Sequence, residues 1–482
     1  MGYVKGEDRQ QINMFPDSMD DYIAEDNPVR VIEAFVISLD MADLGFERAQ
    51  TNIAGRPSYD PRDLLKLYLY GYLNRIRSSR RLERESARNL ELIWLICGLK
   101  PDFKTIADFR KDNKRAIKQV FKQFSLLCQQ WGLYGQTVVA IDGSKFRASN
   151  SKKRNFNEKK LNRHIKYIDE KIEKYLAELE EGDQSEANTH KPSAEEINKH
   201  ILELKERKVT YEEMLQTIKD NDLSEISWTD PDARQMSTNN NGIDICYNVQ
   251  TVVDGKHSLI VDYDVTNNPT DHGQLSQMAK RAQEVFETEE EEINVLADKG
   301  YYSANELKKC QKANLKTYVA KPKTTNATGD EGFYANKFSY NSEQDHYICP
   351  AGQVLSFSHY RKDKGKIIGR DYRNNKACKV CAMKDRCTKS KRGRSICRNI
   401  DQDLLDEVDK RTSENKALFK KRQMIVEHPF GTIKRSFGYY YFLTRRLISV
   451  KTESALHFLA YNLTRVINIL GVKEIVRRLQ TA

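Results

Sequence analysis

The chain has 482 residues, enough for roughly two to four domains, and its lysines and arginines outnumber its aspartates and glutamates by 80 to 69. The net charge of +11 favours a polyanionic partner such as nucleic acid, because each neutralised phosphate releases condensed counterions. The longest apolar run, residues 92–99, is too short to cross a bilayer and the first residues lack the apolar core of a signal peptide, so we expect a cytoplasmic protein without a membrane partner.

Residues 1–130 predict a helical N-terminal DNA-binding domain. Apolar residues recur there at three- and four-residue steps, Pro61 suits the first turn of a helix, and Asp102 suits an N-cap. A turn at residues 98–101 precedes a basic helix, which is the outline of a helix-turn-helix DNA reader. The alternative is a helical bundle with a solvated basic face. The candidate DNA-binding residues are Arg80, Arg81, Lys104 and Arg110.

The order of elements after residue 130 predicts a mixed α/β sheet within residues 131–482. A β-branched run at residues 138–141 predicts a buried strand that ends at Asp142. Apolar stripes on both sides of a loop at residues 182–192 then predict an antiparallel helical hairpin insertion at residues 155–222. Strand-type sequence resumes with a hairpin, followed by a helix, a strand that ends at Asp298, another helix and a short strand.

Asp142 and Asp298 share a position, since each lies at the carboxyl end of a short apolar strand. Ligands of open α/β sheets collect at these ends, and paired carboxylates suit Mg²⁺ or Mn²⁺. Two such ions can clamp the attacking and leaving oxygens of a phosphodiester displacement. The alternative for each residue is an aspartate that caps the next turn. Asp271 could orient such a site, but a helix N-cap explains it as well, and it is not predicted to be catalytic.

Residues 340–400 predict a cysteine-rich, basic and zinc-ribbon-like insertion. Cys378 and Cys381 form a C-x2-C pair, Cys387 follows, and Cys349 precedes a Pro/Gly turn. Four thiolates in this arrangement fit a tetrahedral structural Zn²⁺ site, with Cys397 as a possible substitute for one ligand. The alternative is a set of reduced thiols. The lysines and arginines around the cysteines favour contact with DNA.

Several segments resemble those of bacterial insertion-sequence DDE transposases. The tetrad Asp298-Lys299-Gly300-Tyr301 resembles the D-x-G-Y box around their second carboxylate, and residues 139–144 resemble the strand that carries the first. Residues 427–434 resemble their third box, in which a lysine follows a glutamate by seven positions. Residues 230–234 and 247–251 are similar to linking segments of one branch, which has a helical N-terminal domain and a cysteine-bearing insert. The resemblance covers nearly the whole chain.

The resemblance implies a ribonuclease H-like core in which Asp142, Asp298 and Glu427 are catalytic and bind the metal. Lys434 lies about two helical turns after Glu427 and would contact a DNA phosphate, the alternative being a solvated lysine on a surface helix. The related pattern places an arginine four residues before the glutamate, where this chain has a glutamine. Arg422, one residue earlier, is the candidate for that DNA contact. Pro429 predicts that the helix bearing Glu427 is kinked or begins nearby.

The function that the resemblance implies is a transposase that cleaves the ends of its mobile element and transfers them to a target. Its partners would be double-stranded DNA, as terminal inverted repeats and target, and further copies of itself. One alternative is a metal-dependent DNA nuclease without strand transfer. The other is an inactive DNA-binding regulator derived from a transposase, which the presence of all three carboxylates disfavours.

Overall fold

The N-terminal part of the protein consists of helices. The computed structural model describes residues 18–49, 58–182, 194–238, 242–288, 292–363 and 365–481. The first helices are α1 (Val29–Ile37), α2 (Pro61–Leu73), α3 (Ser79–Ser86), α4 (Leu90–Leu95), α5 (Phe103–Asp112) and α6 (Lys114–Gln130). Asp102 caps α5 as predicted, because its side chain accepts hydrogen bonds from the backbone N–H groups of Lys104 and Thr105.

The chain then enters the sheet and leaves it for a long helical excursion. These elements are β1 (Val138–Arg147), β2 (Asn155–Phe156), α7 (Glu158–Gly182), α8 (Ala194–Asp220) and β3 (Ile226–Ser227). Strands β2 and β3 pair with each other, and α7 packs against α8 over a separate apolar cluster that includes Leu161, Ile168 and Tyr211. Most of the loop predicted for residues 182–192 lies outside the described residues.

The central sheet is mixed, which confirms the predicted mixed α/β fold. Its remaining elements are β4 (Arg234–Ser237), β5 (Ile243–Asp254), β6 (Ile260–Thr266), α9 (Leu275–Phe286), β7 (Ile293–Ala297), α10 (Ala304–Lys312) and β8 (Leu315–Val319). Strand β5 is antiparallel to β1, β4 and β6. Strand β7 lies parallel to β1 on one side and to β8 on the other. Strand β1 continues past Asp142 to Arg147, so the prediction that it ends at Asp142 is wrong. Its pairing with β7 ends at Ile141, which lies opposite Ala297, the last residue of β7.

A second sheet occupies the cysteine-bearing region. Its elements are β9 (Ser339–Asn341), β10 (His346–Ile348), β11 (Val354–Asp363), β12 (Lys366–Arg373), α11 (Asn375–Lys379), α12 (Lys384–Cys387) and β13 (Ser395–Asn399). All neighbouring strands of this sheet are antiparallel, and their small core includes Tyr347, Leu355 and Tyr372.

The chain ends in helices that return to the central sheet. They are α13 (Gln402–Glu414), α14 (Lys416–Gly431), a π-helical turn at Thr432–Ser436, α15 (Leu447–Leu470) and α16 (Val472–Gln480). Asp230 and Asp232 hold the start of α15, because they accept hydrogen bonds from the backbone N–H groups of Arg446 (3.0 Å) and Leu447 (2.8 Å). In the part of the chain that is described, no single helix has the length and apolarity to cross a membrane, whereas α15 and α16 meet that test only as a pair bent by 104°.

One hydrophobic core joins the N-terminal helices to the sheet. The rings of Phe121 on α6 and Tyr263 on β6 lie edge to face with centroids 5.1 Å apart. Tyr263 in turn lies 4.9 Å from Phe458 on α15. The predicted domain boundary at residue 130 thus falls within a continuous apolar layer. Whether the two sides of this boundary fold as separate domains stays a prediction.

A buried ion pair also links the N-terminal helices to the C-terminal part. Arg77, in the turn between α2 and α3, lies 3.4 Å from the carboxylate of Glu453 on α15. The Arg77 guanidinium lies over the rings of Tyr439 (4.7 Å) and Tyr441 (4.5 Å). Glu453 is fully buried and also accepts hydrogen bonds from the backbone of residues 443 and 444. Both charges therefore have partners within the protein.

Candidate active site

Asp142 and Asp298 lie next to each other, Asp142 within β1 and Asp298 directly after the end of the parallel strand β7. Ile141 on β1 is in register with Ala297 on β7, so the residue that follows each of them is an aspartate. Neighbouring strands are about 4.8 Å apart, and residues in register point to the same face. The sequence-predicted pair of carboxylates is therefore brought together.

Each aspartate also binds the backbone that follows it. Asp142 Oδ1 accepts a hydrogen bond from the N–H of Gly143 at 2.9 Å. Asp298 Oδ1 accepts one from the N–H of Gly300 at 2.7 Å and so caps the short turn Lys299–Tyr301. The turn-capping alternative is thus observed for Asp298, but it occupies one lone pair of one oxygen and is compatible with metal binding through the other oxygen.

Arg422 on α14 faces Asp142. Its Nη1 lies 3.9 Å from Asp142 Oδ2. In the pattern of the related transposases the arginine stands one residue later. The glutamine at that later position, Gln423, donates a hydrogen bond of 2.7 Å to Glu427 instead. Arg422 therefore neutralises part of the negative charge of the aspartate pair.

The electrostatics of Asp142 follow from these neighbours. Burial raises the pKa of the Asp142 carboxyl from 3.8 to about 6, Arg422 opposes this rise, and the negative charge of Asp298 adds to it. Half of the Asp142 carboxyls would carry a proton near pH 6 in the metal-free protein. A bound cation favours the ionised form, so metal binding and proton binding compete.

Replacing Asp142 with asparagine should therefore stabilise the metal-free protein above pH 6. The folded state holds the Asp142 proton between about pH 4 and pH 6, where the unfolded state has lost it, so the free energy of unfolding falls as the pH rises through that window. We expect Asp142→Asn to be more stable than the parent at pH 8 by about 3 kcal/mol, and equal to it below pH 4. Melting curves in chelator at both pH values measure this, and an equal difference at both would contradict it.

Glu427 is not brought to the aspartate pair. Glu427 is exposed on α14. Arg422 lies on the face of the helix that also carries the buried Ile425 and Val426, and Glu427 is about 140° around the helix from Arg422. In the ranges that the structure describes, no group of three or more His, Cys, Asp or Glu side chains could hold a metal ion. Two of the three predicted carboxylates are therefore neighbours, and the third is on the flank of the adjacent helix.

The helix that carries Glu427 continues through Pro429. Helix α14 runs from Lys416 to Gly431, so it does not begin near Glu427, which was one of the two predicted effects of the proline. Proline lacks the N–H that would bond to the carbonyl four residues earlier. A π-helical turn follows directly, at Thr432–Ser436, and it carries Lys434. Such turns change the direction of the residues after them and are frequent at functional sites.

Lys434 lies against β1 rather than in solvent. Its ammonium donates hydrogen bonds to Ser144 Oγ (2.6 Å) and to the carbonyl of Lys145 (2.7 Å), and it lies 4.3 Å from the ring of Phe146. Burial lowers the pKa of Lys434 to about 8, and the nearby charge of Asp142 opposes this shift. The lysine therefore stands two residues along the strand from Asp142.

Comparison with known proteins gives two matches along the chain. Residues 17–112 match the family described as Transposase domain (DUF772), and residues 348–467 match the family described as Transposase DDE domain. Both matches are to transposase domains, which is consistent with an insertion-sequence DDE transposase. The second match contains Glu427 and Lys434, whereas Asp142 and Asp298 lie between the two matches.

One solved structure with a weak likeness to this chain is a cryo-EM structure of the piggyBac transposase synaptic complex with hairpin DNA. The likeness covers 94% of this chain and 79% of that one, with 8% sequence identity and a TM-score of 0.33. No curated protein matches the chain.

Three of the four predicted DNA contacts in the N-terminal part of the protein are exposed. Arg80 and Arg81 lie on α3 and Lys104 on α5, and Arg80 stacks over Phe103 at 4.6 Å. Arg110 is different, because its guanidinium lies over the ring of Tyr68 at 5.5 Å and its Nη1 is buried. Arg110 follows the buried Ile106 by four residues, so the helix turns both side chains inward.

Four cysteines of the protein line one cavity. Cys349, Cys378, Cys381 and Cys387 converge there, between β11 and the short helices α11 and α12. The backbone N–H of Gln353 donates to the Cys349 sulfur at 3.4 Å, and burial together with the neighbouring thiols raises the pKa of Cys387. Cys397, the proposed substitute ligand, instead lies on β13 next to Arg361 and Asp371.

Three polar residues beside the aspartate pair were missed as functional candidates. Asn248 and Gln250 on β5 are fully buried, and both donate hydrogen bonds to Asp271. The hydroxyl of the buried Tyr301 donates to Gln250. A signal for them was present in the sequence, because polar residues at alternate positions of an apolar strand share one face and need partners there.

Proposed function

We propose that this protein is an active transposase that cleaves the ends of a mobile element and joins them to target DNA. The observation that carries the proposal is the pair Asp142 and Asp298, side by side where the pairing of the parallel strands β1 and β7 ends. We interpret the central sheet as ribonuclease H-like. The strand order β6-β5-β1-β7-β8 supports that interpretation, because β5 runs in the opposite direction to the other four strands.

The donor groups at this edge fit Mg²⁺ or Mn²⁺. Mg²⁺ prefers oxygen ligands and is usually held by one or two protein carboxylates together with waters and substrate phosphates. Asp142 and Asp298 supply two such carboxylates, and we assign Glu427 as the third ligand in the DNA complex. The metal, when bound, supplies polarisation of the scissile phosphate and activation of the attacking oxygen.

The remaining side chains of the site bind charge. Arg422 places a positive charge beside Asp142 and so offsets part of its repulsion by Asp298. Lys434, held against β1 and with its pKa near 8, is largely protonated at neutral pH and carries a positive charge next to the strand end. A phosphate of the bound DNA would be drawn to this position.

The proposed reaction has two balanced steps. In the first, a water oxygen bonds to phosphorus and the bond from phosphorus to the 3′ oxygen breaks, which leaves a 3′-hydroxyl and a 5′-phosphate. In the second, that 3′ oxygen bonds to a target phosphorus and displaces the target's own 3′ oxygen. One phosphodiester replaces another in the second step, so it needs no external energy source.

The DNA partner follows from the charge of the N-terminal helices. Arg80, Arg81 and Lys104 present positive charge on adjacent helices, which suits the phosphate backbone of a duplex. We assign this surface to the terminal inverted repeats. Two ends are cut in one transposition event, so we expect at least two copies of the chain in the DNA complex.

A supercoiled target plasmid incubated with element-end DNA, Mg²⁺ and the full chain tests the proposed function. Joined products support transposition. Nicked or linear plasmid and cut element ends without joined products would favour the nuclease. DNA binding without any cleavage would favour the regulator, and either outcome would contradict the proposal.

We also infer that the four cysteines around the cavity bind a structural Zn²⁺. Thiolates are its preferred ligands, and the four sulfurs line one cavity although they do not stand at coordinating distance from a common centre. Zn–S bonds of about 2.3 Å would draw them together. Elemental analysis of the purified chain should give close to one zinc per chain, and the Cys381→Ala protein should have lost it.

Cys397→Ala is the matched control, because Cys397 belongs to the same region but does not line the cavity. It should keep its zinc. Absence of zinc from the parent protein, or equal loss in both variants, would contradict the site.

A further inference from the structure

Asp271 lies beside the aspartate pair and does not cap a helix. The N-cap of α9 is Gln274, three residues later, so the N-cap alternative for Asp271 is wrong. Its Oδ1 accepts hydrogen bonds from Gln250 Nε2 (2.7 Å), Asn248 Nδ2 (2.8 Å) and Lys145 Nζ (3.3 Å). Three donors on two neighbouring strands thus hold one carboxylate oxygen.

Gly143 makes room for this carboxylate, and Gly300 lies in contact with it. A Cβ at Gly143 would come within 2.3 Å of Asp271 Oδ1 and of Gln250 Nε2, a distance that real Cβ atoms do not show. A Cβ at Gly300 would come within 3.6 Å of Asp271 Oδ2. Gly143 directly follows Asp142, and the N–H of Gly300 donates to Asp298. Asp271 therefore packs against the backbone that carries both aspartates.

Asp271 approaches β1 from the face opposite Asp142. Successive residues of a strand point to opposite faces, so Gly143 and Lys145 share the face of Gln250 and Asn248, with which they are in register. The buried hydroxyl of Tyr301 extends the same group, because it donates to Gln250. Asp271 is about a quarter exposed, with a side-chain accessibility of 23%, so it lies at the open edge of the sheet.

We propose that Asp271 is a positioning residue for the Asp142–Asp298 pair: its carboxylate, held by Asn248, Gln250 and Lys145, fixes the backbone at Gly143 and Gly300. This inference rests on the proposed function, since it concerns how that site is held ready for a divalent cation. Groups that orient the ligands of a metal change its affinity by about 10- to 100-fold when they are removed.

Calorimetric titration of the full chain with Mn²⁺ tests the role of Asp271. Asp271→Asn keeps the size of the side chain and one acceptor oxygen but loses the charge, and we expect its Mn²⁺ affinity to fall about 10- to 100-fold. Gly143→Ala changes no charge but displaces the Asp271 carboxylate, and we expect a similar loss. Melting curves without metal establish that each variant is folded before it is titrated.

Asp264→Asn is the matched control. Asp264 is a partly buried carboxylate on β6 that pairs with Lys451 and Arg281, away from β1, and its loss should leave Mn²⁺ affinity within about twofold. An equal loss in the control, or parental affinity in folded Asp271→Asn and Gly143→Ala, would overturn the positioning role. Parental Mn²⁺ affinity in Asp142→Asn would instead overturn the proposed function itself, so the two failures are distinguishable.

Discussion

DNA cleavage by the Asp142→Ala and Asp298→Ala proteins should fall by about 10³-fold or more, the scale of loss when a group that stabilises developing charge is removed. Each variant loses one of the two adjacent carboxylates beside the paired strands β1 and β7. DNA binding should persist, because the exposed arginines and lysines of the N-terminal helices supply it. Cleavage of labelled element-end DNA and mobility shifts of the same DNA measure the two properties.

Glu427→Ala belongs in the same experiment, because Glu427 stands apart from the aspartates in the DNA-free chain. We expect the same loss if α14 brings its carboxylate to the pair when DNA binds. Full cleavage by Glu427→Ala would remove this residue from the site and leave the aspartates in place. Asp403→Ala, which removes an exposed carboxylate of α13, is the control and should cleave normally. Full cleavage by Asp298→Ala would contradict the proposed active site.

Glu453→Ala should lower the free energy of unfolding by about 3–5 kcal/mol, the usual cost of removing one partner of a buried ion pair. The variant leaves the Arg77 guanidinium buried between Tyr439 and Tyr441 without its carboxylate. It also removes the acceptor for the backbone N–H and the hydroxyl of Thr444. Denaturant unfolding of the full chain measures the change.

Lys473→Ala provides the comparison for an exposed pair. Lys473 pairs with Glu25, but both side chains are largely exposed, so loss of this pair should change the free energy of unfolding far less than Glu453→Ala does. A loss in Glu453→Ala as small as that in Lys473→Ala would show that the buried pair contributes no more than the exposed one.

Periodicity was sufficient to predict the elements that carry the aspartate pair. The apolar runs before Asp142 and Asp298 are short and β-branched, and both form strands of the central sheet. The register between these two strands could not be predicted from the sequence, because β1 and β7 are far apart along the chain. The proximity of Asp142 and Asp298 was therefore only an expectation until the pairing of Ile141 with Ala297 was known.

Side-chain direction was predicted less well than element type. Arg110 was predicted to face DNA from its charge, yet it packs over Tyr68, because helix geometry places it on the same face as Ile106. For Asp271 the sequence left two alternatives, a helix cap or a residue that orients the site, because its partners Asn248 and Gln250 come from a strand about twenty residues earlier. The residues next to Arg110 and Asp271 in the sequence do not reveal these contacts, because Tyr68, Asn248 and Gln250 are distant along the chain.

The apolar layer that runs from Phe121 through Tyr263 to Phe458 has a consequence for engineering. Exchanging the first 130 residues for those of a relative would cut through this layer and leave large aromatic rings of the sheet facing foreign side chains. Chimaeras made at that point should be poorly soluble. Under the proposed assignment of α3 and α5 to DNA, a new recognition sequence is better sought by single substitutions on the outer surface of these two helices.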